Sequence, residues 1–149
     1  MKIVMLLTTV FATLGGCAVM VPGHLYPVQG PLSTQTPPPI YTARLNGSFL
    51  PLGSITVRMA GGNTCPGDWK AVSQDDPTAN QMSAQWDQVY GGGYFVANVL
   101  GKRTFARGVL TCTDGQKLNL EFLVVKPGDP SSAKGVVTDG MGNVFKLIF

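Results

Sequence analysis

The sequence predicts a mainly β domain, a small antiparallel sandwich or barrel of about six to eight strands with one short helix. Three observations predict it. Apolar residues alternate with polar ones over several runs, and glycine-containing turns separate these runs. One hairpin pattern occurs twice near the end of the chain. With 44% hydrophobic residues in a chain of 149, there is enough apolar material for a core.

Four runs are predicted to be strands. Ser54 to Met59 alternates strictly, and Tyr94 to Leu100 is an almost continuous apolar run. Thr104 to Cys112 and Lys117 to Val125 flank the turn signal Thr113-Asp114-Gly115-Gln116, which predicts a hairpin. In the last run Leu118, Leu120, Phe122 and Val124 share one face.

The second copy of this hairpin lies 27 residues further along the chain. Arg107 to Phe122 aligns without gaps on Lys134 to Phe149. The two segments share glycine, valine and threonine near the start, a turn glycine, and leucine and phenylalanine near the end. Two copies are fewer than the three that a solenoid requires. The repeat therefore predicts two similar hairpins within one domain.

A single helix is predicted near Pro77 to Tyr90. Asp75 or Asp76 is a suitable N-cap, Pro77 suits the first turn and Gly91 suits the end. Met82, Trp86, Val89 and Tyr90 then fall on one face of the helix. This face is expected to cover an edge or opening of the sheet, and lining of a ligand site is the alternative.

The N-terminus has the organisation of an export signal. Lys2 supplies a positive charge, and Ile3 to Leu14 is an apolar segment too short to span a membrane as a helix. The following Leu14-Gly15-Gly16-Cys17 resembles the lipobox of bacterial lipoprotein precursors. This resemblance implies removal of residues 1–16 and attachment of lipid, palmitate among its acyl chains, to Cys17. Ala18 in place of aspartate after the cysteine favours the outer membrane.

The segment after Cys17 is rich in proline. Six prolines between residues 18 and 42 disfavour both helix and central strand. We expect residues 17–42 to form a semi-rigid tether with a reach of about 75 Å, and residues 43–149 to form the globular domain. A docking motif at Pro37 to Tyr41 is the alternative to a simple spacer.

Two cysteines remain after lipidation of Cys17. Cys65 and Cys112 form an even pair in an exported chain, where disulfides persist. A bond between them would close a loop of about 48 residues and contribute roughly 4 kcal/mol. It would join the Thr64 to Trp69 turn to a central strand. A redox or metal pair is the alternative, although the close ligand spacing typical of zinc sites is absent.

The residue types offer little for catalysis, cofactor binding or nucleic-acid binding. The single histidine, His24, lies in the predicted tether, which argues against a histidine-dependent triad in the domain. Lys102, Arg103 and Arg107 form the densest basic cluster, which is too small to predict a nucleic-acid interface. Most of the carboxylates are expected to serve turns and caps, and Glu121 is expected on the polar face of the Lys117 to Val125 strand. The acidic residues after Cys17 are Asp68, Asp75, Asp76, Asp87, Asp114, Glu121, Asp129 and Asp139.

Two parts of the domain are similar to a known group of proteins. The segments Trp86 to Gly91 and Tyr94 to Gly101, with the endings Gly135 to Asp139 and Gly142 to Leu147, resemble a family of small, uncharacterised bacterial lipoproteins. The resemblance spans about half of the mature chain. The resemblance implies an envelope location and the lipoprotein class, and it implies no known activity.

The sequence therefore predicts a membrane-anchored envelope lipoprotein that is not an enzyme and carries no cofactor or metal. Its expected partners are the membrane, through the lipid on Cys17, and an envelope protein or cell-wall component. Two alternatives stay open. One is a small barrel that carries an apolar ligand. The other is a carboxylate-dependent hydrolase of wall polymers.

Overall fold

Eight antiparallel strands close into a barrel in which each strand pairs with its neighbours along the chain and the first pairs with the last. The computed structural model describes residues 20–47, 52–123 and 133–149. The signal segment and Cys17 lie outside these residues. The predicted fold class is confirmed, and the barrel is the correct one of its two architectures.

The strands run up and down in sequence order, so odd-numbered strands begin at the end of the barrel where even-numbered strands finish. Their bounds are β1 Met20–Gln29, β2 Tyr41–Asn46, β3 Leu52–Arg58, β4 Thr64–Ala71, β5 Phe105–Thr111, β6 Lys117–Leu123, β7 Lys134–Asp139 and β8 Val144–Ile148. The end where β1 begins is the proximal end, and the other is the distal end.

The barrel interior is filled by the apolar side chains that alternate along the strands. On β6, Leu118, Leu120 and Phe122 are buried, as the alternation predicts. Phe122 packs edge-on against Trp69 at 5.4 Å between ring centroids, and Tyr41 lies 5.8 Å from Phe145. Eight strands leave an interior just wide enough for such side chains, so these rings form the core.

The residues between β4 and β5 form a second layer outside the barrel wall. This segment contains the two helices α1, Ser83–Tyr90, and α2, Tyr94–Asn98. Its buried apolar residues pack on outward-facing side chains of the strands, with Phe95 on Phe105 at 6.0 Å. The barrel thus has two apolar clusters, one inside and one under the helices.

The predicted tether is wrong for most of its length. Met20–Gln29 forms β1, which pairs with β2 and β8, and β2 begins at Tyr41. The domain therefore begins by Met20 rather than at Ala43, and His24 lies on a strand. Both prolines of β1 are tolerated because each lies where only one neighbouring strand is paired. Pro22 pairs with β2 alone and Pro27 with β8 alone.

Two predictions of local secondary structure are wrong. Thr64 to Trp69 is not a turn but most of β4, with Cys65 and Trp69 pointing into the core. The run Tyr94 to Leu100 is not a strand, since Tyr94–Asn98 is helical. Its buried residues, Phe95 and Val99, are four apart, which is helical spacing.

The predicted helix is present but begins later than expected. α1 starts at Ser83, after a series of turns that follow Pro77. Asp76 accepts hydrogen bonds from the backbone N–H and the hydroxyl of Thr78, so it holds a turn instead of capping α1. The predicted packing face is correct, since Met82 and Trp86 are buried and Val89 and Tyr90 are half-buried.

The internal repeat corresponds to two consecutive hairpins, β5–β6 and β7–β8. Their turns contain Gly115 at φ 86° and Gly142 at φ 84°, a left-handed conformation that favours glycine. The prediction of two similar hairpins at an offset of 27 residues is therefore confirmed.

Cys65 and Cys112 are joined by a disulfide bond. Gly67 pairs with Leu110 in the β4–β5 ladder, which brings Cys65 directly opposite Cys112 across the two strands. Both cysteines belong to the core. The bond closes a loop that contains the connection between β4 and β5, with both helices.

Candidate functional site

The carboxylates of the described residues mostly hold turns, as expected from the sequence. Asp87 accepts a hydrogen bond from the backbone N–H of Phe95 at the start of α2. Asp114 accepts from Gln116 within the β5–β6 turn. Asp139 accepts from the backbone of Met141 and Asn143 in the β7–β8 turn. Asp129 lies outside the described residues. These hydrogen bonds indicate that Asp87, Asp114 and Asp139 stabilise the local backbone conformation.

Glu121 is the exception, because it is fully buried on the outer side of the barrel wall. Arg107, directly opposite on β5, places Nη2 2.7 Å from Oε1 of Glu121 and also donates through Nε. Trp86 donates from its indole N–H to Oε2 at 2.9 Å. Burial raises the pKa of Glu121 above its ordinary value, while Arg107 and Trp86 oppose this shift.

This ion pair fastens the helical segment to the wall. The guanidinium of Arg107 donates both to Glu121 and to the carbonyl and hydroxyl oxygens of Thr78. The sequence placed Arg107 in a solvated basic cluster and Glu121 on a polar strand face. Neither expectation holds, since Trp86 of α1 contacts Glu121 and Thr78, in the turns before α1, contacts Arg107. Periodicity within β6 cannot reveal a covering helix that lies 35 residues earlier.

A second contact fixes the end of α1 over β7 and β8. The Tyr90 hydroxyl lies 3.0 Å from the carbonyl oxygen of Gly135 and 3.2 Å from that of Leu147. Lys134 and Lys146 place their ammonium groups over its ring, within 6 Å of the centroid. Burial raises the pKa of Tyr90 well above its ordinary value, so this phenol stays protonated. α1 is therefore held against the outer wall by Trp86 near its middle and by Tyr90 at its end.

Beside α1 the outer wall forms a groove. Its floor is one row of outward-facing residues that lie opposite each other on successive strands from β4 to β8. These floor residues are Asp68, Val109, Asn119, Thr138 and Val144. Five strands spaced at about 4.8 Å give the floor a length of about 19 Å.

The wall of the groove comes from amide side chains of the helical segment. Gln81 and Gln85 stand over Asn119 and Thr138 around a cavity of about 370 Å³. Gln85 and Gln88 line the adjoining cavity of about 390 Å³, which extends to Val144 and Gln29. The two cavities share Gln85 and Thr138. They therefore lie side by side along α1, and together they are called the amide groove.

The groove opens onto a third, less polar cavity at the β4 side. It has a volume of about 700 Å³ and shares Arg107, Gly108 and Val109 with the amide groove. Leu52 is exposed along its edge and Trp69 lies beneath it. Three adjacent cavities thus lie along the outer wall from β3 to β8, the first mostly apolar and the other two rich in amides.

Gln85 carries an unsatisfied polar atom in this groove. Its Oε1 is buried and has no hydrogen-bond partner among residues 20–47, 52–123 and 133–149. A buried acceptor without a donor costs about 1–3 kcal/mol, so such an atom calls for an explanation. Gln85 is also the residue at which the two polar cavities meet. A donor from a bound molecule would satisfy it once the side-chain amide of Gln85 rotates toward the cavities.

Other candidate chemistry is sparse in the described part of the chain. Within it, no group of three or more histidine, cysteine or acidic side chains is close enough to hold a metal ion. Over the same residues, none of the helices has the length and hydropathy needed to cross a bilayer. Cys17, the predicted lipidation site, lies outside the described residues.

Comparisons of the chain with protein-family models, with curated proteins and with solved structures found no match. The function is therefore inferred from the geometry of the barrel and its groove.

Proposed function

We propose that this protein is a non-enzymatic binding module of the bacterial envelope, anchored through lipid on Cys17. Its ligand is an extended, largely uncharged polar chain, a cell-wall component or a segment of an envelope protein, held in the amide groove. The observation that carries this proposal is the unsatisfied Oε1 of Gln85 at the junction of the two polar cavities.

The chemistry of the groove supports such a ligand. Glutamine and asparagine side chains both donate and accept hydrogen bonds, as do peptide groups, N-acetyl groups and sugar hydroxyls. A floor of about 19 Å has room for about six extended residues at 3.3 Å each. The charged Arg107 at its edge is already paired with Glu121, which favours an uncharged ligand over an anion.

The alternatives have weaker support. An apolar carrier needs interior space, and the interior of this barrel is filled with buried side chains. A wall hydrolase needs two accessible carboxyl groups facing one bond. Glu121 is fully buried, and Asp76, Asp87, Asp114 and Asp139 accept hydrogen bonds within turns and loops. Asp68 is exposed on the groove floor, but its neighbours in that row are Val109 and Asn119, which offer it no second carboxylate.

A photo-crosslinking experiment in living cells tests the groove. A photoreactive amino acid placed at Asn119 on the floor should give a discrete adduct, whereas one at Thr42, exposed on β2 across the barrel, should not. Adding Gln85→Leu to the Asn119 variant should weaken the adduct. Equal adducts from both positions, or an adduct unaffected by Gln85→Leu, would contradict the proposal.

The anchor has its own test. Radiolabelled palmitate should enter the wild-type protein and not a Cys17→Ser variant. Equal labelling of both proteins would remove the lipoprotein hypothesis without affecting the groove.

A further inference from the structure

The distance between the predicted lipid anchor and the barrel is very short. Only Ala18 and Val19 separate Cys17 from Met20, the first residue of β1. Three residue steps span about 10 Å even when fully extended. If Cys17 carries the lipid, the proximal end of the barrel therefore lies at the membrane surface and not on a long spacer.

From this constraint we propose that the proximal end is a lipid-binding surface that docks on the anionic headgroups of the membrane holding Cys17. The inference rests on the lipid anchor proposed above and is independent of the amide groove. Two properties of the proximal end support it, its exposed apolar side chains and its basic residues.

Large apolar side chains are exposed at the proximal end. Met20 and Leu52, at the starts of β1 and β3, are 55% and 62% exposed. Val96 on α2 is 69% exposed and Leu100 is 40% exposed. Phe95 of α2 packs on Phe105 at the start of β5, which holds α2 at this end of the barrel. Such residues suit the boundary between headgroups and acyl chains.

Basic side chains lie at the same end of the barrel. Lys102 and Arg103 are exposed in the turn that leads into β5, and Lys70 is exposed next to the end of β4. Lys134 begins β7 at the same end. The exposed acidic residues near Lys70 along the chain are Asp68, within β4, and Asp75, in the loop after β4. Lysine and arginine beside exposed apolar residues are attracted to anionic lipid surfaces.

The distal end differs in charge although it also exposes apolar residues. Met141 there is 61% exposed, close to the value for Val96. Its basic residues, Arg58 and Lys117, are accompanied by the carboxylates of Asp114 and Asp139 in the adjacent turns. The two ends therefore provide a matched comparison.

Fluorescence quenching by brominated phospholipids can measure which end contacts the bilayer. Full-length lipidated protein carrying Val96→Trp or Met141→Trp would be reconstituted into vesicles that contain anionic phosphatidylglycerol. Trp69 and Trp86 are buried and give the same background in both variants. The Val96→Trp signal should be quenched at least about twofold more strongly, because side chains at a membrane-docked surface lie about 5–10 Å within the interface.

The charges can be tested in the same vesicles. Lys102→Glu with Arg103→Glu should reduce quenching of the Val96→Trp variant, whereas Arg58→Glu with Lys117→Glu should leave it unchanged. If palmitate is incorporated but the two tryptophan variants are quenched equally, the docking proposal is overturned and the anchor stands. If palmitate is not incorporated, the anchor fails and the docking proposal fails with it.

Discussion

Arg107 and Glu121 face each other across strands β5 and β6, and Arg107 Nη2 lies 2.7 Å from Glu121 Oε1 on the outer side of the wall. The pair is buried by the helical segment rather than by the barrel. Its hydrogen bonds to Thr78 and Trp86 link the second layer to the first.

Replacement of Glu121 by alanine should lower the free energy of unfolding by about 2–4 kcal/mol, because Arg107 and the Trp86 indole would lose their acceptor in a buried site. Lys117→Ala, exposed on the same strand, should change it by less than about 0.5 kcal/mol. Urea unfolding of both variants provides the measurement. A Glu121→Ala protein as stable as the control would show that the pair does not hold the helices.

The raised pKa of Glu121 predicts a pH dependence of stability. Between the ordinary value near 4.5 and the higher folded value, the folded state binds more protons than the unfolded state. Stability from this group is therefore complete below about pH 4.5 and is lost as the pH rises through the folded pKa. The wild type should gain stability relative to Glu121→Gln as the pH falls from 7 to 4.5. A relative loss would mean that Arg107 outweighs burial.

Gly135 should not tolerate a side chain. A Cβ there would lie 2.5 Å from the carbonyl oxygen of Glu121 and 2.7 Å from Cβ of Phe122. Gly135→Ala should therefore cost about 1–3 kcal/mol through overpacking. Gly140→Ala has open space around the new methyl group and should be nearly neutral. Thermal unfolding of the two variants decides this, and equal melting temperatures would contradict the close approach of β7 to β6 at Gly135.

The disulfide should stabilise the barrel by closing a long loop. The sequence separation of 47 corresponds to about 4 kcal/mol in the chain-entropy treatment. Cys65→Ala with Cys112→Ala should lower the urea midpoint accordingly, while palmitate labelling at Cys17 is retained. Peptide mapping without reductant should recover the two cysteines as one linked pair. Their recovery as free thiols in exported protein would contradict the bond.

The strands that could be predicted most directly from the sequence are those in which apolar and polar residues alternate without interruption. β3, β5, β6 and the repeated hairpin of β7 and β8 follow directly from period two. β1 and β4 were missed because Pro22, Pro27 and Pro66 resemble breakers. Each of these prolines lies where its strand is paired on one side only, a property of the sheet that no local pattern contains.

The groove could not be predicted for a similar reason. Its floor collects one residue from each of five strands, and its wall comes from the segment between β4 and β5. Gln85 and Asn119 are 34 residues apart and share no motif. Only the register of the closed barrel, together with the position that Trp86 gives to α1, brings them together.

The pairing of β1 with β8 has a consequence for the synthesis of the chain. His24 on β1 pairs with Ile148 on β8. β1 is synthesised first, and the edge of β1 that pairs with β8 stays uncovered until the last residues of the chain have been made. An export apparatus that delivers the N-terminus first would release an open sheet until the C-terminus emerges. Premature stop codons anywhere before the final strand would leave the same edge unpaired, and such products are prone to aggregation or degradation. Genetic truncations should consequently behave as null alleles even when they spare Gln85 and Asn119.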